Sequence, residues 1–231
     1  SARLAGQRIT GVGRRGKFLV LSLDRDTLLI HLRMSGDIRV EPQADARGQP
    51  LPLQPHDRLA LEFADGWRMA FNDARKFGRA WLVDDPQRIL GGLGPEPLDA
   101  SFTAEVLYAR LSRVHRQIKP LLLDQSFIAG LGNIYADEAL YAARVHPLRA
   151  SNSLTHDEAA ALWSGIRDVL SEGIRRNGAS IDWVYRGGDF QNHFNVYQRT
   201  GKACPRCGAP IARITIGQRG AHFCPMCQRE S

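Results

Sequence analysis

No cysteine occurs in the first 203 of 231 residues; all four fall between positions 204 and 227. A disulfide-stapled scaffold spreads its cysteines along the chain, so that architecture is excluded. Long apolar runs are also missing, and with them any membrane-spanning helix; no signal-peptide pattern is present, which argues against an oxidising compartment. There is no low-complexity tract and no internal repeat, so neither a disordered tail nor a solenoid is expected. Acidic residues are the minority charge, 24 against 31 Lys+Arg, leaving a net +7.

What is present is concentrated at the C-terminus. "CPRC" and "CPMC" are two C-x-x-C pairs separated by sixteen residues, the spacing of a four-cysteine zinc ribbon, in which each turn offers two thiolates to one side of a tetrahedral metal. Two disulfides or a redox pair are the alternatives. Four thiolates leave no open position, so the metal would be structural: Cys204, Cys207, Cys224 and Cys227 around one zinc. Residues 198–231 also hold Arg199, Lys202, Arg206, Arg213, Arg219 and Arg229 against the single acid Glu230. A basic face on a small rigid module suits a polyanion, most simply nucleic acid; a solvated surface is the plain alternative.

The texture of the chain changes near residue 95. Before it, "KFLVLSLD", "TLLIHLRM", "RLALEFADGWRMAF" and "RAWLV" alternate as strands do, and Asp65-Gly66 marks a hairpin. The spacing predicts an antiparallel sandwich or barrel. "GGLGPEPL" reads as a connector. Beyond it "TAEVLYARL", "IKPLLLDQ", "GLGNIYADEALYAARV" and "THDEAAALWSGIRDVLSEGIRRNG" are helical, the last opened by a Thr155–Glu158 capping box and stopped at Gly178. Residues 179–201 lack a period and predict a loop followed by a short strand.

Several short segments can carry chemistry. In "GLGN", Gly130 to Asn133, glycines open a helix whose free N–H groups attract anions, and Asn133 adds a donor; an ordinary turn with Asn133 as N-cap is the alternative. "FNDARKFG" sets Arg75 beside Phe77 at a loop, and "HLRMSG" ends on Met34; an apolar or aromatic tip can replace a base extruded from a duplex, or simply pack in a core. Lys17 in "RRGKF" is a solvated lysine or, if partly buried, a proton-transfer or Schiff-base group.

The order of these segments, with "LGPEPL" and a terminal ribbon carrying "QR", resembles the bacterial formamidopyrimidine-DNA glycosylases from about Gly11 to Gln228. The resemblance implies an α+β multidomain chain: an antiparallel β-sandwich domain over 1–95, a helix–two-turn–helix domain over 96–197 and a zinc finger over 198–231. It implies a bacterial cytoplasmic, monomeric repair enzyme that binds duplex DNA containing a damaged base or abasic site. Such an enzyme excises oxidised purines and nicks the strand by β,δ-elimination. It places Lys17 and Arg219 at the catalytic centre, the lysine aiding elimination and the arginine gripping phosphates beside the lesion. Met34, Arg75 and Phe77 fill the gap left by the flipped nucleotide, and His56, Arg75, Lys119 and Asn133 touch the DNA backbone.

The likeness begins roughly forty residues into the family pattern, so the family's Pro-Glu start, with its proline amine nucleophile, is not among these residues. The expectation is that these 231 residues alone do not excise bases and nick abasic sites at most weakly through Lys17. "DARKFG" also stands where "DPRRFG" is commoner. A truncated damaged-DNA-binding protein, an endonuclease VIII-like pyrimidine glycosylase and a zinc-ribbon RNA-binding module are the competing readings.

Overall fold

The computed structural model describes residues 2–181 and 187–230. They form two compact units, one ending at Gly91 and one beginning at Gly92 within the Gly/Pro connector.

The first unit contains strands β1 (Ile9–Arg15), β2 (Phe18–Leu23), β3 (Thr27–His31), β4 (Gly36–Pro42), β5 (Asp57–Glu62), β6 (Trp67–Asp73) and β7 (Arg79–Val83), then a single helical turn, α1 (Gln87–Leu90). They build two antiparallel sheets, β1-β2-β3-β7 and β4-β6-β5. Alternation decides which face is buried. Leu21, Leu28 and Ile30 of the first sheet meet Met69 and Phe71 of the second in one apolar cluster, giving the expected sandwich.

Register places the loops. Phe18 pairs with His31 and His31 with Arg79, so the start of β2, the end of β3 and the start of β7 lie side by side. In the other sheet Gly36 pairs with Asp73 and Asp57 with Asn72. The β1–β2, β3–β4 and β6–β7 turns and the approach to β5 therefore each lie at a strand end fixed by pairing.

The second unit contains α2 (Ala104–Ser112), α3 (Ile118–Leu123), α4 (Asn133–Ala142), α5 (His156–Arg175) and a hairpin of β8 (Ala212–Ile216) and β9 (Arg219–Phe223). The α5 capping box forms as expected, with the Thr155 hydroxyl accepting from the Glu158 N–H and the Glu158 carboxylate from the Thr155 N–H. One core of Leu107, Leu111, Ile118, Leu122, Leu131, Ala139, Leu162 and Ile166 joins all four helices.

The strand expected after the 187–188 glycines is not present among the described residues. A 3-10 turn, Phe190–His193, stands there instead. The cause is Glu138: its buried carboxylate accepts the backbone N–H groups of Asn195, Val196 and Tyr197 at 2.9–3.1 Å, the donors a strand would have given to a neighbour. The β8–β9 turn is Gly217–Gln218, with φ of +52° and +64°, the two positive angles of the hairpin turn that matches strand twist.

Candidate nucleic-acid interface and metal centre

In the first unit a buried carboxylate organises the loop end. Asp73 accepts the Ser35 hydroxyl at 2.5 Å, the Gly78 N–H at 2.7 Å and the Arg75 N–H at 3.2 Å. It thus ties the turn bearing Met34 to the turn bearing Arg75 and Phe77. Burial would raise its pKa, but these donors outweigh burial and hold it below the usual carboxylate range. Met34 is 60% and Phe77 49% exposed: both are turn tips rather than core residues. The Arg75 guanidinium lies 4.9 Å from the Phe77 ring centroid. Gly78 has no substitute, because a Cβ there would fall 2.2 Å from the Phe71 ring. His56, exposed and at φ +74°, gives its carbonyl to the Asp73 N–H at 3.0 Å. Lys17 occupies the tight β1–β2 turn and is exposed.

His31 belongs to the same end. Its Nδ1 accepts the Arg33 N–H at 3.0 Å, stabilising the left-handed conformation of Arg33, φ +58°, immediately before Met34. Burial, with Arg33 and Lys17 adding repulsion, pushes the imidazole down to about 4, so the ring is neutral and able to accept.

In the second unit the finger hairpin meets the start of α4. That helix begins without a side-chain cap on Gly132, which leaves first-turn N–H groups available to an anion. Asn133 donates through Nδ2 to the Gly220 carbonyl at 3.3 Å, and its Oδ1 is buried without a hydrogen-bond partner. Arg219, exposed at the start of β9, is thereby held one residue from Asn133's contact. Lys119, expected at the DNA backbone, is instead fully enclosed. Its ammonium donates to Asp137 at 2.5 Å and to the Gly220 carbonyl at 2.6 Å, and burial lowers its pKa, with Asp137 opposing that shift.

The four cysteine sulfurs lie within 4.8 Å of one another, with Cys204 to Cys227 at 3.9 Å and Cys207 to Cys224 at 3.5 Å. A disulfide requires about 2.05 Å, whereas tetrahedral zinc with sulfurs at about 2.3 Å separates them by nearly 4 Å. The donor set fits zinc. Around it, the Tyr141 hydroxyl stands 3.5 Å from Cys204 Sγ and the Arg206 N–H donates to the same sulfur at 3.4 Å. Gln228 bridges the Cys224 N–H and the Val145 carbonyl, and the Arg206 side chain donates to the Tyr141 and Ala142 carbonyls.

Sequence reasoning overlooked Asp73, His31, Asp137 and Glu138. Asp73 had a signal, an Asp followed within five residues by Gly in a strand-to-turn segment; the helical acids Asp137 and Glu138 carry no comparable signal.

A β-sandwich with a tied loop end, together with a helical unit that presents a basic hairpin beside an open helix start and a closed thiolate cluster, defines a zinc-finger protein built to hold nucleic acid. Family models agree across most of the chain. Residues 1–80 match the formamidopyrimidine-DNA glycosylase N-terminal domain, 93–184 the formamidopyrimidine-DNA glycosylase H2TH domain, and 201–229 a zinc finger found in FPG and IleRS. A formamidopyrimidine-DNA glycosylase of Roseiflexus sp. (strain RS-1) is 49% identical over 98% of this chain and 83% of its own. The crystal structure of the MutM (Fpg) protein of Thermus thermophilus has a TM-score of 0.88 and 42% identity over 100% of this chain and 86% of that one. A Lactococcus lactis Fpg in complex with abasic-site DNA has a TM-score of 0.87 and 36% identity over 99% and 84%. The chain belongs to the formamidopyrimidine-DNA glycosylase family, and its four cysteines form a structural zinc site. No helix among the described residues is long and apolar enough to cross a membrane.

Proposed function

We propose that this chain is a DNA-repair glycosylase of the bacterial cytoplasm, acting as a monomer on duplex DNA that contains an oxidised purine or an abasic site. The observation that carries this reading is the contact between Asn133 and Gly220. It holds Gly220, the neighbour of Arg219 in β9, at the uncapped start of α4, which supports a phosphate site that combines helix N–H groups with a bidentate donor. The three-part division 1–95, 96–197 and 198–231 assigns lesion reading to the first part, while contacts to the DNA backbone come from all three.

Met34 and Phe77 are the apolar tips that enter the stack when a nucleotide is turned out, and Arg75, over the Phe77 ring, adds a cation on the same turn. His56 and Asn133 meet the backbone. Lys17 stands at the same strand ends as His31, placed for the phosphates of the lesion and for aiding elimination of the opened sugar. Zinc supplies no chemistry here. Four thiolates close its coordination, and its part is to hold the β8–β9 hairpin in shape.

The test is binding and lesion selectivity. Arg219→Ala should weaken binding to every duplex by about 1–3 kcal/mol, the scale of a lost charged hydrogen bond, and flatten the salt dependence by about one phosphate. Phe77→Ala should spare overall affinity and reduce the preference for abasic over undamaged duplex, since the inserted ring offsets the unstacking cost of a few kcal/mol. Wild-type affinity and salt slope in Arg219→Ala would refute the gripping role.

A further inference from the structure

Asp137 lies in the middle of α4 with 1% of its surface exposed, where an unpaired carboxylate is costly. Both of its oxygens are in use. Oδ1 accepts the Lys119 ammonium at 2.5 Å. Oδ2 accepts the His222 backbone N–H at 2.9 Å and faces His222 Nδ1 at 3.0 Å; because a carboxylate only accepts, this contact puts the ring proton on Nδ1. The Tyr197 ring packs edge-on against that imidazole, 4.9 Å between centroids. Lys119 in turn holds the Gly220 carbonyl, which also takes Asn133 Nδ2. One carboxylate therefore fixes β9 directly at residue 222 and, through the lysine, at residue 220. Arg219 is the next residue along.

We propose that Asp137 is a positioning residue for DNA binding: its carboxylate clamps strand β9 onto α4 and so sets the place from which Arg219 reaches a phosphate. The inference rests on the phosphate-gripping reading of Arg219. An Asn at this position cannot reproduce the clamp. With its oxygen toward Lys119, its NH2 opposes the His222 N–H; with its oxygen toward His222, its NH2 opposes the ammonium. Either orientation sets donor against donor.

The experiment compares full-length, zinc-loaded wild type, Asp137→Asn, Arg219→Ala and the double variant. Amide hydrogen exchange is read over residues 219–223, and binding to an abasic-site duplex is read across a salt series. Asp137→Asn should raise exchange in that strand at least tenfold and lower the slope of log K against log salt by about 0.9, one phosphate. Adding Arg219→Ala should then cost little more, because the two act through one contact. Unchanged exchange, or losses that add fully, overturns the inference and leaves the role of Arg219 standing. A wild-type slope in Arg219→Ala instead overturns the gripping reading, and the positioning role with it. Should Asp137→Asn lose zinc, Lys119→Met/Asp137→Leu keeps the buried volume filled without ions; a wild-type slope and wild-type exchange in that variant overturn the proposal, and a reduced slope with zinc retained supports it.

Discussion

Replacing Asp73 by alanine should disable lesion selectivity without touching a DNA-facing side chain. Three donors lose their acceptor: the Ser35 hydroxyl, the Gly78 N–H and the Arg75 N–H, at 2.5, 2.7 and 3.2 Å. Hydrogen bonds to a charged group contribute about 1.5–3 kcal/mol each. Counting the two short ones gives about 3–6 kcal/mol, and water reaching the partly exposed Ser35 and Gly78 should recover about half, leaving about 1.5–3 kcal/mol. For a domain of this size that lowers the melting transition of the first unit by roughly 6–24 °C. Below that transition the Met34 and Phe77 turns are no longer tied to each other, and preference for abasic over undamaged duplex should fall about tenfold, or about 1.4 kcal/mol. Asp73→Asn is the control. Its oxygen can still accept from Gly78 while its NH2 donates to the Ser35 hydroxyl, which is free to turn and accept. The lost Arg75 bond should then cost about 1 kcal/mol. Calorimetry and competition binding decide the matter. An alanine variant with wild-type stability and wild-type preference, or an asparagine variant as impaired as alanine, would refute the reasoning.

Chelating the metal, or Cys204→Ser, should disorder the finger, since structural zinc in such ribbons contributes on the order of 10–16 kcal/mol; native mass spectrometry beside a binding titration checks this, and metal-free protein with full DNA affinity would contradict it. Acid should weaken the first unit through His31. Its folded value of about 4 lies below the unfolded value near 6.5, so the unfolded chain binds the proton first. The contribution is complete above about pH 6.5 and is lost as pH falls toward about 4. Urea denaturation of wild type and His31→Phe at pH 7 and 4.5 should show their difference shrinking at the lower pH, and an unchanged difference would count against it. Gly78→Ala should destabilise strongly, because the new methyl meets the Phe71 ring at 2.2 Å; a melting temperature equal to wild type would mean that the turn relaxes freely.

Much of the architecture could be read from the residues, and the exceptions have physical causes. The strands "KFLVLSLD" and "RAWLV" and the helix opened by Thr155 announce themselves because their apolar periods are uninterrupted. Strands β1 "ITGVGRR" and β4 "GDIRVEP" do not, for glycine and charge break their alternation and β1 carries a register shift near Gly11. The segment before the finger reads as a strand by composition, yet Glu138, more than fifty residues earlier, takes its N–H groups. The cysteines are legible because metal geometry imposes a local spacing. Arg219 and Asn133 are legible as types, but the carbonyl joining them belongs to Gly220, whose own side chain says nothing. The resemblance puts Lys119 at the DNA backbone, and its burial is not legible because its partner, Asp137, is eighteen residues away.

The finger matches a family model of its own, residues 201–229, and is short enough to look like an interchangeable part. Its seams say otherwise. Tyr141 and Arg206 join it to the end of α4, Asp137 and Asn133 to the middle and start, and Gln228 to Val145. A finger transplanted from a distant relative would bring its own thiolates and zinc and leave these sockets empty. Chimeras of this protein should therefore be cut so that residues 119–145 travel with the finger, and homologous recombination within such genes should tolerate breakpoints where the two units divide, at Gly91 and Gly92, far better than breakpoints between α4 and the first cysteine.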